Sequence, residues 1–454
     1  MMLWDHLVSS NIINLPCIMD YSTACTRNSM IQRRGNIQLA ARGVHAVASA
    51  GAFANASAPN ASVATFREAV RGQLVLAPLT KGNNLPFRRL CADYDATVLY
   101  SEMAFARNLN KGEPRERALM RRAANEPTFG VQIATKTIDE GVQAGIEIAS
   151  NGADFMSLNM GCPIYEATRR GLGSSLLKKP KKLTRLIQGM VEGIPVPLEV
   201  KVRIGIDNIN IESVVEALEE TGIAALTIHG RTAQQRYKKS ADWDLIKRIA
   251  QNTSLPIIGN GDVLTLHEAV HRMENYDVAA VMIGRGALTK PWCFREFKER
   301  REILPSSEDR VQMMRTLVRY MKEHFGDDDW GKRKAWYFLP WHLGWFSRYR
   351  PLPASHYAAM SEERPLIATR WDSIACEELG ETVAGMDLLE RLLRCGSTMA
   401  HEAMADILWE APDDERAIEQ LADLAKKNIL AYEEHEREGE RGGDSRQEAS
   451  DVEG

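Results

Sequence analysis

Residues 128–134 read Thr-Phe-Gly-Val-Gln-Ile-Ala, a short apolar run, and residues 137–151 follow it with helical periodicity. The same strand-then-helix unit recurs along the chain up to about residue 284. The runs that predict strands are 74–79, 97–103, 128–134, 154–159, 197–203, 224–229, 255–259 and 278–284. Eight such units predict an α/β fold with a parallel sheet and helical crossovers, and the count of eight favours a closed (β/α)8 TIM barrel.

Nearly every predicted strand ends in a polar or glycine-rich group, once per unit. These ends are Thr80, Glu102, Gln132, Asn159, Lys201, His229, Asn260-Gly261-Asp262 and Gly284-Arg285-Gly286. One such residue is most often an ordinary strand end, but eight in step favour a functional rim. Parallel barrels keep their active sites at the carboxyl ends of their strands. The sequence therefore predicts that these side chains surround one site.

The last two strand ends have the composition of a phosphate site. Glycine lets backbone N–H groups approach phosphate oxygens, and Arg285 adds a charged contact. Lys201 is expected to point into the barrel mouth, where a buried ammonium needs an anion. Both a reduced flavin ring and a Schiff-base substrate satisfy that need. His229 is compatible with phosphate binding, with acid or base chemistry, and with a structural role.

Cys162 lies just past the fourth predicted strand, in a loop that continues to Gly171-Leu172-Gly173-Ser174-Ser175. The chain has seven cysteines and no Cys-x-x-Cys pair, which disfavours a zinc site or a disulfide framework and favours a reducing compartment. Cys162 itself is compatible with a nucleophile, a metal ligand or a general acid. No ligand spacing supports a metal, and the sequence shows no paired base to activate a nucleophile.

The amino-terminal residues 1–72 differ in composition from the rest of the chain. They hold no lysine, six arginines and three acidic residues, and their Ala, Ser and Asn content is typical of a mitochondrial or plastid targeting leader. A disordered extension, or a start at Met30, explains the same composition and leaves a cytoplasmic or nuclear location open. No run of about eighteen apolar residues predicts a membrane-spanning helix.

Residues 301–436 lack strand alternation and predict a smaller all-helical domain after a barrel at residues 73–300. Residues 330–350 interleave bases, including Lys332, Arg333 and Lys334, with aromatic side chains. Such a surface neutralises phosphates and stacks unpaired bases, although about half of the aromatic residues are expected in a core. Residues 433–454 hold nine acidic residues and three arginines, so residues 437–454 are predicted to be an acidic disordered tail.

Over about residues 73–350 these motifs together resemble the dihydrouridine synthase family. The similar segments include Asn159-Met160-Gly161-Cys162-Pro163, Ala77-Pro78-Leu79-Thr80, Ser101-Glu102-Met103, Gly130-Val131-Gln132-Ile133, Val200-Lys201-Val202-Arg203, Ile228-His229-Gly230-Arg231, Asn260-Gly261-Asp262 and Gly284-Arg285-Gly286. Asn84-Leu85-Pro86-Phe87-Arg88 and Lys290-Pro291-Trp292 are most similar to the eukaryotic subgroup that modifies the tRNA variable loop, the tRNA-dihydrouridine(47) synthase-like proteins.

The resemblance implies an FMN-dependent enzyme that reduces the C5=C6 bond of a specific uridine in tRNA, with NADPH reloading the flavin. Cys162 would donate the proton. The resemblance places Pro78, Leu79 and Thr80 under the flavin, Gln132 and Lys201 at its ring, and His229, Asn260, Gly261, Asp262, Gly284 and Arg285 around the ribityl chain and phosphate.

The substrate side of the expected site is a set of polar and basic residues. Asn159, Arg169, Arg170, Arg231, Lys332, Arg333 and Lys334 are expected to contact the tRNA. The protein is expected to be a monomer without metal or membrane attachment. Two alternatives stay open: an FMN barrel oxidoreductase that reduces a small enone or pyrimidine, and a non-catalytic tRNA-binding factor.

Overall fold

A computed structural model of the protein describes residues 61–368 and 385–441. Most of the expected leader and of the expected acidic tail lies outside these residues. In the described residues there are nine strands: β1 Leu74–Leu76, β2 Val98–Tyr100, β3 Ala104–Phe105, β4 Thr128–Ala134, β5 Phe155–Met160, β6 Leu198–Arg203, β7 Ala225–His229, β8 Ile257–Asn260 and β9 Ala280–Ile283.

The strands close into a parallel barrel. The sheet order is β2-β1-β9-β8-β7-β6-β5-β4-β3, and a further pairing of β2 with β4 closes the ring. The two-residue β3 only extends the edge of β4. Eight parallel strands with helical crossovers confirm the predicted (β/α)8 barrel. All strand-ending groups of the sequence consequently face one rim.

Helices cover the outside of this barrel. They span Leu85–Asp93, Ala106–Asn110, Pro114–Leu119, Ile138–Ser150, Tyr165–Thr168, Pro180–Gly193, Ile211–Leu218, Trp243–Gln251, Leu266–Asn275, Arg285–Thr289 and Cys293–Glu299, with a 3-10 turn at Gly173–Lys178. Helix Ile211–Leu218 shows why they pack: Val214 and Leu218 recur at helical spacing and are both buried.

A helix at Ala61–Val70 precedes the first strand, inside the segment that the sequence assigned to a leader or extension. Phe66 is buried, and its ring lies 4.7 Å from that of Phe155, the first residue of β5. Tyr100 packs on the same ring at 4.8 Å. The helix therefore closes the amino-terminal end of the barrel, which the alanine-rich composition concealed.

The carboxyl-terminal region is helical, as expected. Its helices are Ser307–Phe325, Asp329–Trp336, Leu339–Phe346, Ala354–Glu363, Leu388–Arg394, Thr398–Glu410 and Asp414–Arg441, with a 3-10 turn at Leu366–Ala368. The last helix runs past residue 437, where the sequence predicted a disordered tail. No helix among the described residues has the length and apolar character needed to cross a membrane.

The helical region packs on the side of the barrel formed by helix Leu85–Asp93. Arg89 pairs with Glu323 at 2.6 Å, and the Tyr320 hydroxyl donates to Asp93. Deeper in the contact, the imidazole of His342 stacks on Phe87 with 4.8 Å between ring centroids. This contact brings the aromatic and basic segment 330–350 next to the barrel loop that follows β1.

Candidate active site

A hydrogen-bond chain at the carboxyl ends of β4 and β5 supports the loop that holds Cys162. Gln132 Oε1 accepts a hydrogen bond from Asn159 Nδ2 at 2.8 Å. Asn159 Oδ1 in turn accepts from the backbone N–H groups of Gly161 at 3.1 Å and of Cys162 at 2.9 Å. Since both amide side chains are buried, these bonds hold the start of the loop in one conformation.

Cys162 is fully buried at the barrel mouth. Its side chain belongs to an apolar cluster with Ala134 and Leu172. Burial raises the pKa of the thiol above its ordinary value, although the positive charges of Arg203 and Lys201 act in the opposite direction. The thiol is therefore protonated at neutral pH, which is the form that a general acid requires.

Cationic side chains gather around His229 at the end of β7. Burial is the main cause of a His229 pKa well below the ordinary value, and the neighbouring positive charges lower it further. Those charges are Lys201, Arg203, Arg231 and Arg285. The imidazole is therefore neutral at neutral pH. Lys201 Nζ donates to Asn260 Oδ1 at 3.1 Å, which holds the ammonium across the barrel mouth.

Asp262 connects two of these cations. Its two carboxylate oxygens each accept from Arg231 Nη2 at 2.6 Å, and Oδ1 also accepts from Arg285 Nη2 at 3.2 Å. The backbone N–H of Ala241 completes the set at 2.7 Å. Asp262 therefore orients the guanidinium groups. The sequence predicted contact of Asp262 with a cofactor and of Arg231 with RNA, whereas the structure joins their side chains, each 1% exposed, in a buried ion pair.

The loop after β8 needs glycine at position 261. Its φ is +126°, and a Cβ there would lie 2.6 Å from Ala241 Cβ and 3.2 Å from His229 Cδ2. The backbone is thus bare on the side that faces the cationic cluster. Across the mouth, Pro78 and Leu79 follow β1 and are buried, and the next residue, Thr80, is exposed.

Arg169 and Arg170 are exposed on the loop that follows Cys162. Glu166 lies 2.6 Å from Arg169 Nη2 and 3.7 Å from Arg170 Nη2. Exposed ion pairs of this kind contribute roughly 1 kcal/mol or less, so a phosphate group can displace the carboxylate. These two arginines lie on the loop that follows β5 and carries Cys162, and their contact with RNA stays a prediction.

The basic residues of helix Asp329–Trp336 separate into two roles. Lys332 Nζ lies 3.0 Å from Asp406 and 2.7 Å from Glu410, so it ties this helix to a neighbouring one. Its expected contact with RNA has to compete with these two carboxylates. Arg333 and Lys334, in contrast, are exposed.

Exposed aromatic rings accompany these bases. Trp330 is 51% exposed, and Lys334 Nζ lies 5.3 Å from its ring centre. Tyr337 is 63% exposed, and Lys81 Nζ lies 4.1 Å from its ring centre. Lys81 follows Thr80 in the loop after β1, so Tyr337 adjoins the barrel mouth. We call Trp330, Tyr337, Lys81 and Lys334 the aromatic platform.

Several polar residues of the site were missed from sequence. Glu199 and Arg203 share a buried face of β6 with Lys201, because side chains alternate along a strand. Three charged residues at a spacing of two within an apolar run were the available signal. Tyr237, in the loop after β7, was also missed, and Arg285 Cζ lies 4.2 Å from its ring centre.

Glu102 lies two residues past the end of β2, at the same rim. Burial raises the pKa of its carboxyl to about 7. For metals the described residues give no support: across 61–368 and 385–441 no group of three or more His, Cys, Asp or Glu is arranged to hold an ion.

Solved structures resemble the chain only weakly. Morphinone reductase superposes with a TM-score of 0.38 at 12% identity, covering 51% of this chain and 87% of that chain. A 6-hydroxypseudooxynicotine amine oxidase from Pseudomonas geniculata N1 reaches a TM-score of 0.41 at 12% identity, covering 54% of this chain and 50% of that chain. Neither value is high enough to support an argument about function.

Sequence relatives are much closer. A Homo sapiens protein named tRNA-dihydrouridine(47) synthase NAD(P)(+)-like is 39% identical over 288 residues, 62% of this chain and 44% of the relative. Its namesake in Arabidopsis thaliana is 40% identical over 289 residues, 62% of this chain and 42% of the relative. The chain thus spans about half the length of the curated relatives it matches. The dihydrouridine synthase (Dus) family model matches residues 75–345, and the chain therefore belongs to the dihydrouridine synthase family.

Proposed function

We propose that the protein reduces the C5=C6 bond of a uridine in tRNA to dihydrouridine, and that NADPH is the reductant. The observation that carries this proposal is a buried Cys162, whose pKa is raised by burial, beside a cationic barrel mouth in a chain of the dihydrouridine synthase family. Because the names of the relatives specify position 47, the uridine at that position is the first target to examine.

The barrel mouth suits FMN as the cofactor. A phosphate and an aromatic ring that becomes anionic on reduction both need cations. This pocket supplies Lys201, Arg203, Arg231 and Arg285 against the carboxyls of Asp262 and Glu199. Arg285 and the bare backbone at Gly261 would hold the phosphate. Lys201 and Gln132 would contact the ring. When bound, FMN would supply the hydride for uracil C6.

Cys162 would supply the proton for uracil C5. A protonated thiol transfers its proton as negative charge develops on the base, and solvent returns a proton to the sulfur afterwards. The buried cluster around Cys162 keeps the thiol neutral until that step. The chain Gln132–Asn159 holds the loop backbone, so the sulfur keeps its place.

The aromatic platform would hold the nucleic acid next to this site. A uridine has to leave its stack to reach a barrel mouth, and exposed aromatic rings stabilise unstacked bases. Lys81 and Lys334 add positive charge beside the two rings. Arg169 and Arg170 lie on the rim as further phosphate contacts.

The experiment that tests the proposal uses the purified protein with NADPH and unmodified tRNA. We expect bound FMN, oxidation of the reduced flavin by tRNA, and dihydrouridine at one position by mass spectrometry. Reduction of free uracil or an enone without reduction of tRNA would indicate a small-molecule reductase. A flavin-free protein that binds tRNA would indicate a non-catalytic factor.

In the same assay, Cys162→Ala is expected to lower the rate of dihydrouridine formation by roughly 10²–10⁴-fold, the usual contribution of a positioned general acid. FMN binding should survive, because the cationic cluster is untouched. Measuring flavin absorbance alongside product separates the two effects. An unchanged rate would contradict the proton-donor role.

A further inference from the structure

Glu199 is a buried carboxyl that the proposed mechanism does not use. It lies on β6 and is 0% exposed. Its strand neighbours are Ser157 on β5 and Ala225 on β7. Taking a carboxyl out of water is costly unless polar groups surround it. A carboxyl in the interior of the barrel therefore calls for a role.

Polar groups do surround this carboxyl. The hydroxyls of Ser157 and Thr227 and the ammonium of Lys201 lower the pKa of Glu199, but burial outweighs them and raises it to about 7. Within residues 61–368 and 385–441, the carboxyl oxygens of Glu199 and the Thr227 hydroxyl complete no well-directed hydrogen bond. Glu199 keeps at least one acceptor oxygen in either protonation state.

The hydroxyl of Ser157 links Glu199 to the active-site loop. Gln132 Nε2 donates to Ser157 Oγ at 3.1 Å. The Ser157 hydroxyl accepts this bond and still has its own proton to donate, and the carboxyl of Glu199, the register partner of Ser157 on β6, is the neighbouring acceptor. Gln132 accepts from Asn159, which accepts from Cys162 N–H. Each hydrogen bond from Cys162 N–H to Ser157 is therefore donated in the direction of Glu199.

We propose that Glu199 is a positioning residue, which sets the direction of the hydrogen-bond chain Ser157–Gln132–Asn159 and thereby holds the Cys162 loop. This role rests on the proposed function only for its effect on catalysis. A side chain that offers no acceptor to the Ser157 hydroxyl would allow Gln132 to flip. Asn159 would then have to flip as well, and its NH2 group would face the N–H groups of Gly161 and Cys162.

The test compares Glu199→Leu, which removes the acceptor, with Ser157→Ala and the double variant. The first readout is the rate of Cys162 alkylation by iodoacetamide, followed by mass spectrometry of the Cys162 peptide. The second is kcat and KM for tRNA reduction. Tyr100→Phe is the matched control, because Tyr100 is buried and interacts with Glu199 and Thr227, but its hydroxyl is not part of the hydrogen-bond chain.

We expect each single variant to lower kcat about tenfold, because a displaced reacting group costs rate, and to leave KM for tRNA within roughly twofold. Alkylation of Cys162 should change by a similar factor. The double variant should be no worse than either single one, since both break the same chain. Tyr100→Phe should behave as wild type.

Additive effects in the double variant, or a wild-type alkylation rate in Glu199→Leu, would overturn the proposal. If Glu199→Leu does not fold, Ser157→Ala alone decides through the alkylation rate. If the wild-type protein forms no dihydrouridine, the proposed function fails. The alkylation rates still test the role of Glu199.

Discussion

At the scale of single residues, the environment of one sulfur decides which chemistry is open to it. Cys162 is buried among apolar side chains, and its pKa is raised despite two nearby cations. A nucleophilic cysteine requires a thiolate and hence the opposite shift. The sequence left nucleophile and general acid open, and the burial of Cys162 favours the acid.

This shift predicts the pH dependence of proton transfer. The donor is the protonated thiol, so a raised pKa keeps it active as pH increases. In single-turnover reactions, product formation should be flat through neutral pH and fall only above about pH 8.5, the ordinary cysteine pKa. Cys162→Ser is the control, because its hydroxyl does not titrate there. A rate that rises through pH 8 to 9 would indicate a thiolate instead.

At the scale of elements, the packing of β4 against β5 depends on a missing side chain. A Cβ on Gly130 would lie 2.1 Å from the ring of Phe155. That ring also contacts Phe66 and Tyr100, so it has little freedom to move. The strand β4 can pass over Phe155 only with glycine at this position.

Gly130→Ala is therefore expected to lower the free energy of unfolding by roughly 1–3 kcal/mol, the usual cost of overpacking a core. Urea denaturation followed by circular dichroism measures it. Gly439→Ala is the matched control, since no atom lies within 4 Å of its added Cβ. That helical site should be neutral or gain stability from alanine. Equal stability of the two variants would contradict the packing argument.

The order of strands and helices was predictable from sequence, but the buried polar residues beneath the site were not. Strand ends such as Lys201 and His229 follow from the period of the βα unit. Ser157 and Glu199 lie inside strands, where a single polar residue does not indicate a site in the sequence. Only the strand register shows that the two residues are neighbours on β5 and β6. Helix Ala61–Val70 was missed because its composition continues that of residues 40–60, although Phe66 is a core residue.

At the scale of the whole molecule, the barrel and the helical region meet at a buried histidine. His342 is 0% exposed and stacks on Phe87, and neither of its ring nitrogens has a hydrogen-bond partner in the part of the chain that the structure describes. Burial lowers its pKa to about 3. The folded state therefore favours the neutral ring, while the unfolded chain binds a proton near the ordinary value.

The sign of this shift predicts a loss of stability in acid. The contribution of His342 to the free energy of unfolding is fully present above about pH 6.5. It decreases by up to about 1.4 kcal/mol per pH unit as the pH falls towards the pKa of His342 in the folded state. His342→Leu should remove that dependence, measured by urea denaturation at pH 7.5 and pH 5. The exposed His356→Leu should leave it intact. If both variants lost the same free energy of unfolding between pH 7.5 and pH 5, the acid sensitivity could not be assigned to His342.

The aromatic platform spans both regions, and its test belongs at this scale too. Tyr337→Ala should weaken tRNA binding by about 1–3 kcal/mol, the usual value of one stacked base. Tyr337→Phe should bind normally because its ring remains. Ile146 is also exposed, on helix Ile138–Ser150, so Ile146→Ala serves as the control. Fluorescence anisotropy with labelled tRNA measures all three, and normal binding by Tyr337→Ala would exclude stacking.

The helix Ala61–Val70 sets a limit on maturation. Its Phe66 covers the ring of Phe155 at the closed end of the barrel. A processing protease that cut after this helix would strip the cover and expose an aromatic core to water. If the chain is trimmed on import into an organelle, a cut before residue 61 would leave Phe66 packed on Phe155 in the mature protein.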